Sequence, residues 1–132
     1  MQYMLDTNIC IYLIKKQPAS VMRHISQLSP AQMCISSITS SELFYGVYNS
    51  SYPGKNARAL RQFLLPITIL PYPPEAAQEY GKIRADLKKR GLLIGPMDLL
   101  IVAHAMYQGL TLVTNNTNEF SRVNHLKLEN WT

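Results

Sequence analysis

Short apolar runs of strand length alternate along this chain with longer stretches of helical spacing, and that alternation restricts the fold to parallel α/β architectures. The strand-like runs are residues 2–5, Gln32–Ile35, Ile67–Leu70 and Leu110–Val113. Helices are expected over Asn8–Lys16, ended by Gln17-Pro18 because the residue before proline resists helical geometry, and over Ala19–Leu28. The Ser36–Ser41 cluster favours capping over helix interior, so the third helix is placed at Glu42–Val47. Loop residues follow from Asn49 to Gly54, and helical spacing resumes at Ala57–Leu65 and Glu75–Arg90. Pro96 suits the first position of a helix running through Met97–Gln108, and Gly109 stops it. One helical turn near Glu119-Phe120 and a last strand at Leu126–Leu128 complete the chain. The expectation is one α/β domain over residues 1–132, a three-layer sandwich with a mostly parallel central sheet flanked by helices.

A chain of 132 residues buries about two thirds of the surface it exposes when unfolded, enough for one core. No run is long and uncharged enough to span a bilayer, and no basic leader precedes the first apolar run, so a soluble cytoplasmic protein without a secretory signal is expected. Cys10 and Cys34 lack the paired spacing of a zinc or redox site and read as buried, reduced thiols, although spacing alone does not exclude a disulfide. Thirteen Lys and Arg against eight Asp and Glu give a net charge of +5, which suits a polyanionic partner. Arg84, Lys88, Lys89 and Arg90 form the densest cluster; such a cluster serves either RNA binding or the solvated face of a helix.

The chain has only three aspartates, and two stand where ligand sites of open α/β sheets collect. Asp6 closes the first apolar run and Asp98 follows Gly95-Pro96-Met97; Glu42 opens the third expected helix, and Glu119 follows the strand that ends before Thr114. Helix capping is a sufficient role for each acid taken alone: Thr39-Ser40-Ser41-Glu42 reads as a capping box, and all would favour the positive end of a helix dipole. Asp98 asks for more, because Ile101, Val102 and Ala105 follow at helical spacing and turn it inward. An inward carboxylate is unfavourable unless protonated, paired or metal-bound, and acids that converge repel one another unless a hard cation such as Mg²⁺ or Mn²⁺ joins them.

Four segments carry a family resemblance: Met4-Leu5-Asp6-Thr7-Asn8, Ser40-Ser41-Glu42-Leu43, Gly95-Pro96-Met97-Asp98 and Val113-Thr114-Asn115-Asn116-Thr117-Asn118-Glu119-Phe120. Their order and spacing resemble the PIN domain, and within it the VapC-type toxin ribonucleases of bacterial VapBC toxin–antitoxin systems. The resemblance runs from the first residues to Glu129-Asn130-Trp131. It implies that Asp6, Glu42 and Asp98 are catalytic, metal-binding acids. Where many relatives carry an acid after the strand's threonine this chain has Asn116, with Glu119 three positions on, so the fourth place falls to one of these two. Thr7, Asn8 and Thr114 are placed as supporting groups: the threonine hydroxyls would orient carboxylates, and Asn8 would bond backbone at the helix start.

The implied activity is metal-dependent endoribonuclease cleavage of RNA, leaving 5′-phosphate and 3′-hydroxyl ends, with tRNA as substrate and the anticodon loop of initiator tRNA as first target. Translation would be inhibited, a VapB-type antitoxin would neutralise the enzyme, and a homodimer and larger toxin–antitoxin complexes are implied. Tyr45, Tyr48 and Tyr52 would either stack on unpaired bases or pack in the core. His24, His104 and His125 lie apart, which argues against a metal-free mechanism, and His104 reads as a satisfied core histidine. A noncatalytic RNA- or partner-binding module on the same fold is the alternative. An aspartyl-phosphate phosphatase is disfavoured because Asp6-Thr7-Asn8 lacks a second aspartate, and no Gly-x-Gly-x-x-Gly supports dinucleotide binding.

Overall fold

The computed structural model describes residues 1–132. Five strands form one sheet: β1 (Tyr3–Leu5), β2 (Met33–Ser36), β3 (Thr68–Leu70), β4 (Thr111–Val113) and β5 (Leu128–Glu129), in the order β3-β2-β1-β4-β5. Every neighbouring pair is parallel. The helices are α1 (Thr7–Lys15), α2 (Ala19–Ser26), α3 (Ser37–Tyr48), α4 (Pro53–Leu64), α5 (Pro74–Lys89), α6 (Pro96–Gln108) and α7 (Thr117–Phe120). The chain builds outward from β1 to β3, then returns to lay β4 and β5 against the other side of β1. Strand order therefore reverses at β1 and β4, the position where an open sheet leaves a crevice beyond its carboxyl edge.

Period-two alternation divides the strands between two cores. Met4, Cys34 and Leu112 face the layer holding Ile83 and Leu87 of α5 and Leu99, Ile101 and Val102 of α6. Their successors Leu5, Ile35 and Val113 face Ile9 and Leu13 of α1, Leu43 and Val47 of α3, Leu60 of α4 and Trp131. A sheet covered on both sides needs apolar residues at consecutive positions, which is why the strands read as continuous apolar runs. Cys10 and Cys34 are buried free thiols on opposite sides of the sheet.

Most boundaries fall within two residues of the sequence expectation, and the larger departures are at the starts of α3 and α4. Helix α3 begins at Ser37, because Ser36 at the end of β2 caps it through a 3.1 Å bond from Ile38 N–H. Ser40 and Ser41 stay inside the helix, each hydroxyl donating back to the Ser37 carbonyl, an outlet that the capping preference of serine overlooks. Glu42 is consequently in the middle of α3, and the capping box expected there is absent. Helix α4 begins at Pro53, which supplies its first turn, and the last strand lies at Leu128–Glu129. Gly109 stops α6 as expected, in the left-handed conformation at φ 68°.

Trp131 closes the α1 side of the sheet. It is 1 % exposed, stacked on His24 with centroids 5.4 Å apart and edge-on to Tyr3, while its indole N–H donates to Glu129. Trp131→Ala is expected to destabilise the protein by about 3–5 kcal/mol, read as a lower urea midpoint at unchanged m-value; a midpoint within error of wild type would show that the final residues do not belong to the core.

Candidate active site

The carboxyl edge of the sheet gathers the acids. Backbone pairing continues one residue past β1, where Asp6 N–H donates to the Val113 carbonyl at 3.0 Å, and one residue past β4, where Thr114 N–H donates to the Glu129 carbonyl at 3.0 Å. Asp6 and Thr114 are thereby set side by side at the strand ends. Asp6 is 4 % exposed and accepts the Ile9 N–H at 2.9 Å, so it caps α1 as the sequence allows. Capping occupies only part of the carboxylate. The rest of its environment is negative, since Asp98 and Glu42 both act on it.

Burial, followed by those two charges, raises the Asp6 carboxyl to about 6 against the pull of hydrogen bonding to Thr114 and Ile9. Asp98, half-buried in the first turn of α6, is likewise raised to about 6, first by burial and then by Glu42 and Glu119. The four acids thus form one electrostatic group contributed by β1, α3, α6 and α7. No lysine or arginine neutralises it: the one salt bridge of the protein joins Arg90 to Asp86. No three side chains converge into a ready-made coordination shell, the arrangement expected of carboxylates that repel one another. Oxygen donors, negative charge and missing counter-charge fit a hard divalent cation.

Thr7 donates its hydroxyl to Glu42 Oε1 at 2.6 Å, joining α1 to α3, and the Thr114 hydroxyl, which holds the Asp6 carboxyl down, accepts the Asn116 N–H at 2.9 Å. Asn8 behaves differently. Its exposed amide reaches Asn115 at 3.4 Å, and Asn115 donates to the Tyr12 hydroxyl at 2.8 Å, so the bond serves a side-chain chain and leaves the backbone of α1 alone. Asn116 is the N-cap residue of α7 with no side-chain capping bond, whereas Glu119 acts on Asp98. Charge therefore couples Glu119 to Asp98, while the Asn116 side chain makes no capping bond.

The basic cluster lies along α5 and its C-cap. Arg90 is held by Asp86 and by the Arg122 carbonyl at 2.7 Å, and Arg84 by the Tyr80 hydroxyl at 2.6 Å; Lys88 and Lys89 are exposed. Tyr45, Tyr48 and Tyr52 are 65–71 % exposed, which excludes the core-packing alternative. No histidine joins the acids. Sequence reasoning missed the link from His104 Nδ1 to Ser36 Oγ at 2.8 Å, which ties the acid-bearing helices α6 and α3 together; its signal was a serine directly ahead of a helix. It also missed an apolar groove of about 400 Å³ between α1, α3 and α4, lined by Ile11, Ile14, Leu43, Val47 and Leu60, with Glu42 on its wall.

These features define a doubly wound α/β domain with an acidic site at the carboxyl edge of its sheet. The model of the PIN domain family matches residues 3–126, and the chain belongs to that family, among the VapC ribonuclease toxins. It is 48 % identical over 131 residues to a protein named Ribonuclease VapC2 from Haemophilus influenzae, covering 99 % of this chain and 98 % of that one. Identity is 46 % over 132 residues to the tRNA(fMet)-specific endonuclease VapC of Shigella flexneri, covering 100 % of this chain and 99 % of the other. The fold matches a chain in the crystal structure of VapBC2 from Rickettsia felis, bound to a DNA fragment from its promoter, with a TM-score of 0.93, 42 % identity and full coverage of both chains.

Because the Asp6 carboxyl is raised from 3.8 to about 6 on folding, the metal-free native state binds more protons than the unfolded state between those values. This contribution is present in full below about pH 4 and is lost as pH rises through about 6. Asp6→Asn should therefore gain in melting temperature relative to wild type as metal-free samples are taken from pH 4 to 7. A difference that stays flat or shrinks would contradict the burial and charge assigned to Asp6.

Proposed function

We propose that this VapC-type ribonuclease hydrolyses RNA phosphodiester bonds using a divalent cation, Mg²⁺ or Mn²⁺, held by Asp6, Glu42 and Asp98. Glu119 completes the negative charge and Asn116 offers an amide oxygen. The observation that carries this reading is the group of mutually acting carboxylates with no protein cation among them. When bound, such an ion supplies Lewis-acid activation of the phosphoryl oxygen and of the attacking water.

The remaining work belongs to the chain. Asp6 and Asp98 must be deprotonated to act as ligands, and with their carboxyls raised to about 6 an incoming positive charge would favour that state further. Thr7 fixes the rotamer of Glu42 by occupying one carboxylate oxygen, which leaves the other for the ion. Thr114 plays the corresponding part for Asp6.

The substrate we infer is tRNA, with initiator tRNA foremost, since the Shigella flexneri relative is named for tRNA(fMet). Cleavage there would inhibit translation. The partner we infer is a VapB-type antitoxin, as in the Rickettsia felis complex. The apolar groove beside Glu42 would seat its C-terminal segment, and a basic side chain from that segment would enter the acidic group in place of metal.

The test uses purified protein freed of antitoxin and a tRNA pool. Cleavage is expected with Mg²⁺ or Mn²⁺ and should stop with EDTA. Asp6→Asn, Glu42→Gln and Asp98→Asn should each fall to background with native circular dichroism. Wild-type rates in the two aspartate variants, or no metal-dependent cleavage at all, would leave the noncatalytic module as the better reading. Thr7→Val should weaken Mn²⁺ binding about 10- to 100-fold by calorimetry; unchanged affinity would remove Thr7 from the supporting group.

A further inference from the structure

Between Glu42 and Glu75 the chain contains no acidic residue, and the first part of this interval folds into the packed helix pair α3–α4, whose outer surface forms a ridge beside the apolar groove that Glu42 lines. Tyr45 and Tyr48 follow Glu42 at three-residue steps on α3, the spacing at which helix side chains neighbour one another. After the turn, Tyr52 precedes α4, and Lys55, Arg58 and Arg61 follow it at the same step. Two exposed tyrosines thus follow Glu42 along α3, Tyr52 stands at the turn, and three cations are spaced along α4, whose Ala59 and Leu60 share the wall of the apolar groove with Glu42.

All six are exposed, the tyrosines at 70 %, 65 % and 71 %. Large aromatic side chains left this open in sequence on one surface call for a partner. The ridge is also ordered: Tyr48 stacks on half-buried Phe44 with centroids 6.5 Å apart and planes 22° apart, and Asn56 donates to Ser50 Oγ at 2.9 Å across the turn. The tyrosines do not line the apolar groove, whose α3 wall is Glu42, Leu43, Gly46 and Val47, so a segment seated there leaves their rings uncovered.

We propose that this α3–α4 ridge is a platform for single-stranded RNA, with Tyr45, Tyr48 and Tyr52 stacking on unpaired bases and Lys55, Arg58 and Arg61 on the phosphates beyond. The inference rests on the ribonuclease reading and adds the route by which substrate reaches Glu42. Charge favours RNA over a protein surface: the interval is cationic without exception, and stacking on tyrosine accepts any base. Selection of unpaired loops over duplex follows, because paired bases have no free faces to stack.

The test measures binding of labelled oligoadenylate, oligouridylate and an RNA duplex, by fluorescence anisotropy in EDTA, to the Asp98→Asn protein, which cannot cut. Losing a stacked base weakens binding by about 5- to 150-fold. The triple change Tyr45→Ala, Tyr48→Ala, Tyr52→Ala should therefore weaken single-strand binding at least tenfold and duplex binding little, while the three Tyr→Phe changes retain affinity. Lys55→Gln, Arg58→Gln and Arg61→Gln together should make the slope of log K against log salt shallower by about 2, a readout that stands even if the alanine protein folds poorly. Equal single-strand affinity in the alanine variant, with wild-type cleavage intact, overturns the platform and spares the ribonuclease reading. Unchanged RNA affinity together with a loss of dimer mass by sedimentation overturns it in favour of a protein interface. If wild type neither binds nor cuts RNA with Mn²⁺, the ribonuclease reading fails and the platform with it.

Discussion

The hydrogen bond from Ile9 N–H to Asp6 Oδ1 holds a charge where the fold alone would not keep one. A buried carboxylate is unfavourable by several kcal/mol unless something compensates it, and here the compensation is partial. The first turn of α1 donates to Asp6, Thr114 adds a second contact, and Glu42 and Asp98 work against both. What remains uncompensated is negative charge, which the proposed cation would balance. Helix capping and the proposed metal binding would therefore be successive uses of one carboxylate, which the capping bond aims.

Parallel pairing decides which acids meet. Because β1 and β4 run together in register from Tyr3 opposite Thr111 to Leu5 opposite Val113, Asp6 and Thr114 leave the sheet at the same level. Ser36 leaves β2 nearby, and its hydroxyl serves both the start of α3 and His104 of α6. Glu42 and Asp98 are thus positioned by helices tied through one buried serine. A small displacement of that tie would change the spacing of the acids while leaving the sheet intact. This arrangement places the tolerance of the site in the helices and its fixed reference in the strands.

How much of this could be read in advance depended on the range of the interaction. Asp6 and Asp98 were legible because each sits beside local punctuation, an apolar run before one and Gly95-Pro96 before the other. The layers were legible from consecutive apolar positions in the strands. Glu42 was identified by family resemblance, but its place in the helix was misjudged, because Ser40 and Ser41 satisfy their hydroxyls on the Ser37 carbonyl and so continue the helix. The bonds from Thr7 to Glu42, from His104 to Ser36 and from Asn8 to Asn115 join residues 35, 68 and 107 positions apart. No local pattern encodes them.

Net charge pointed to a polyanion, and the surface offers two groups of cations that differ in how they are held. The densest run of cations lies on α5, where Arg84 and Arg90 are bound within the protein, Arg90 bracing Arg122, which in turn holds the Leu93 carbonyl in the loop before Asp98. The sparser cations of α4 are exposed and face no acid within their own interval. Density along a sequence measures neither freedom nor direction. A phosphate backbone is attracted by charge that is unpaired, and Lys55, Arg58 and Arg61 are exposed without a salt-bridge partner, whereas Arg84 and Arg90 of the α5 cluster are held within the protein. The acidic group itself would repel RNA, so substrate has to be held from outside it, and the acid-free interval that begins immediately after Glu42 supplies that hold.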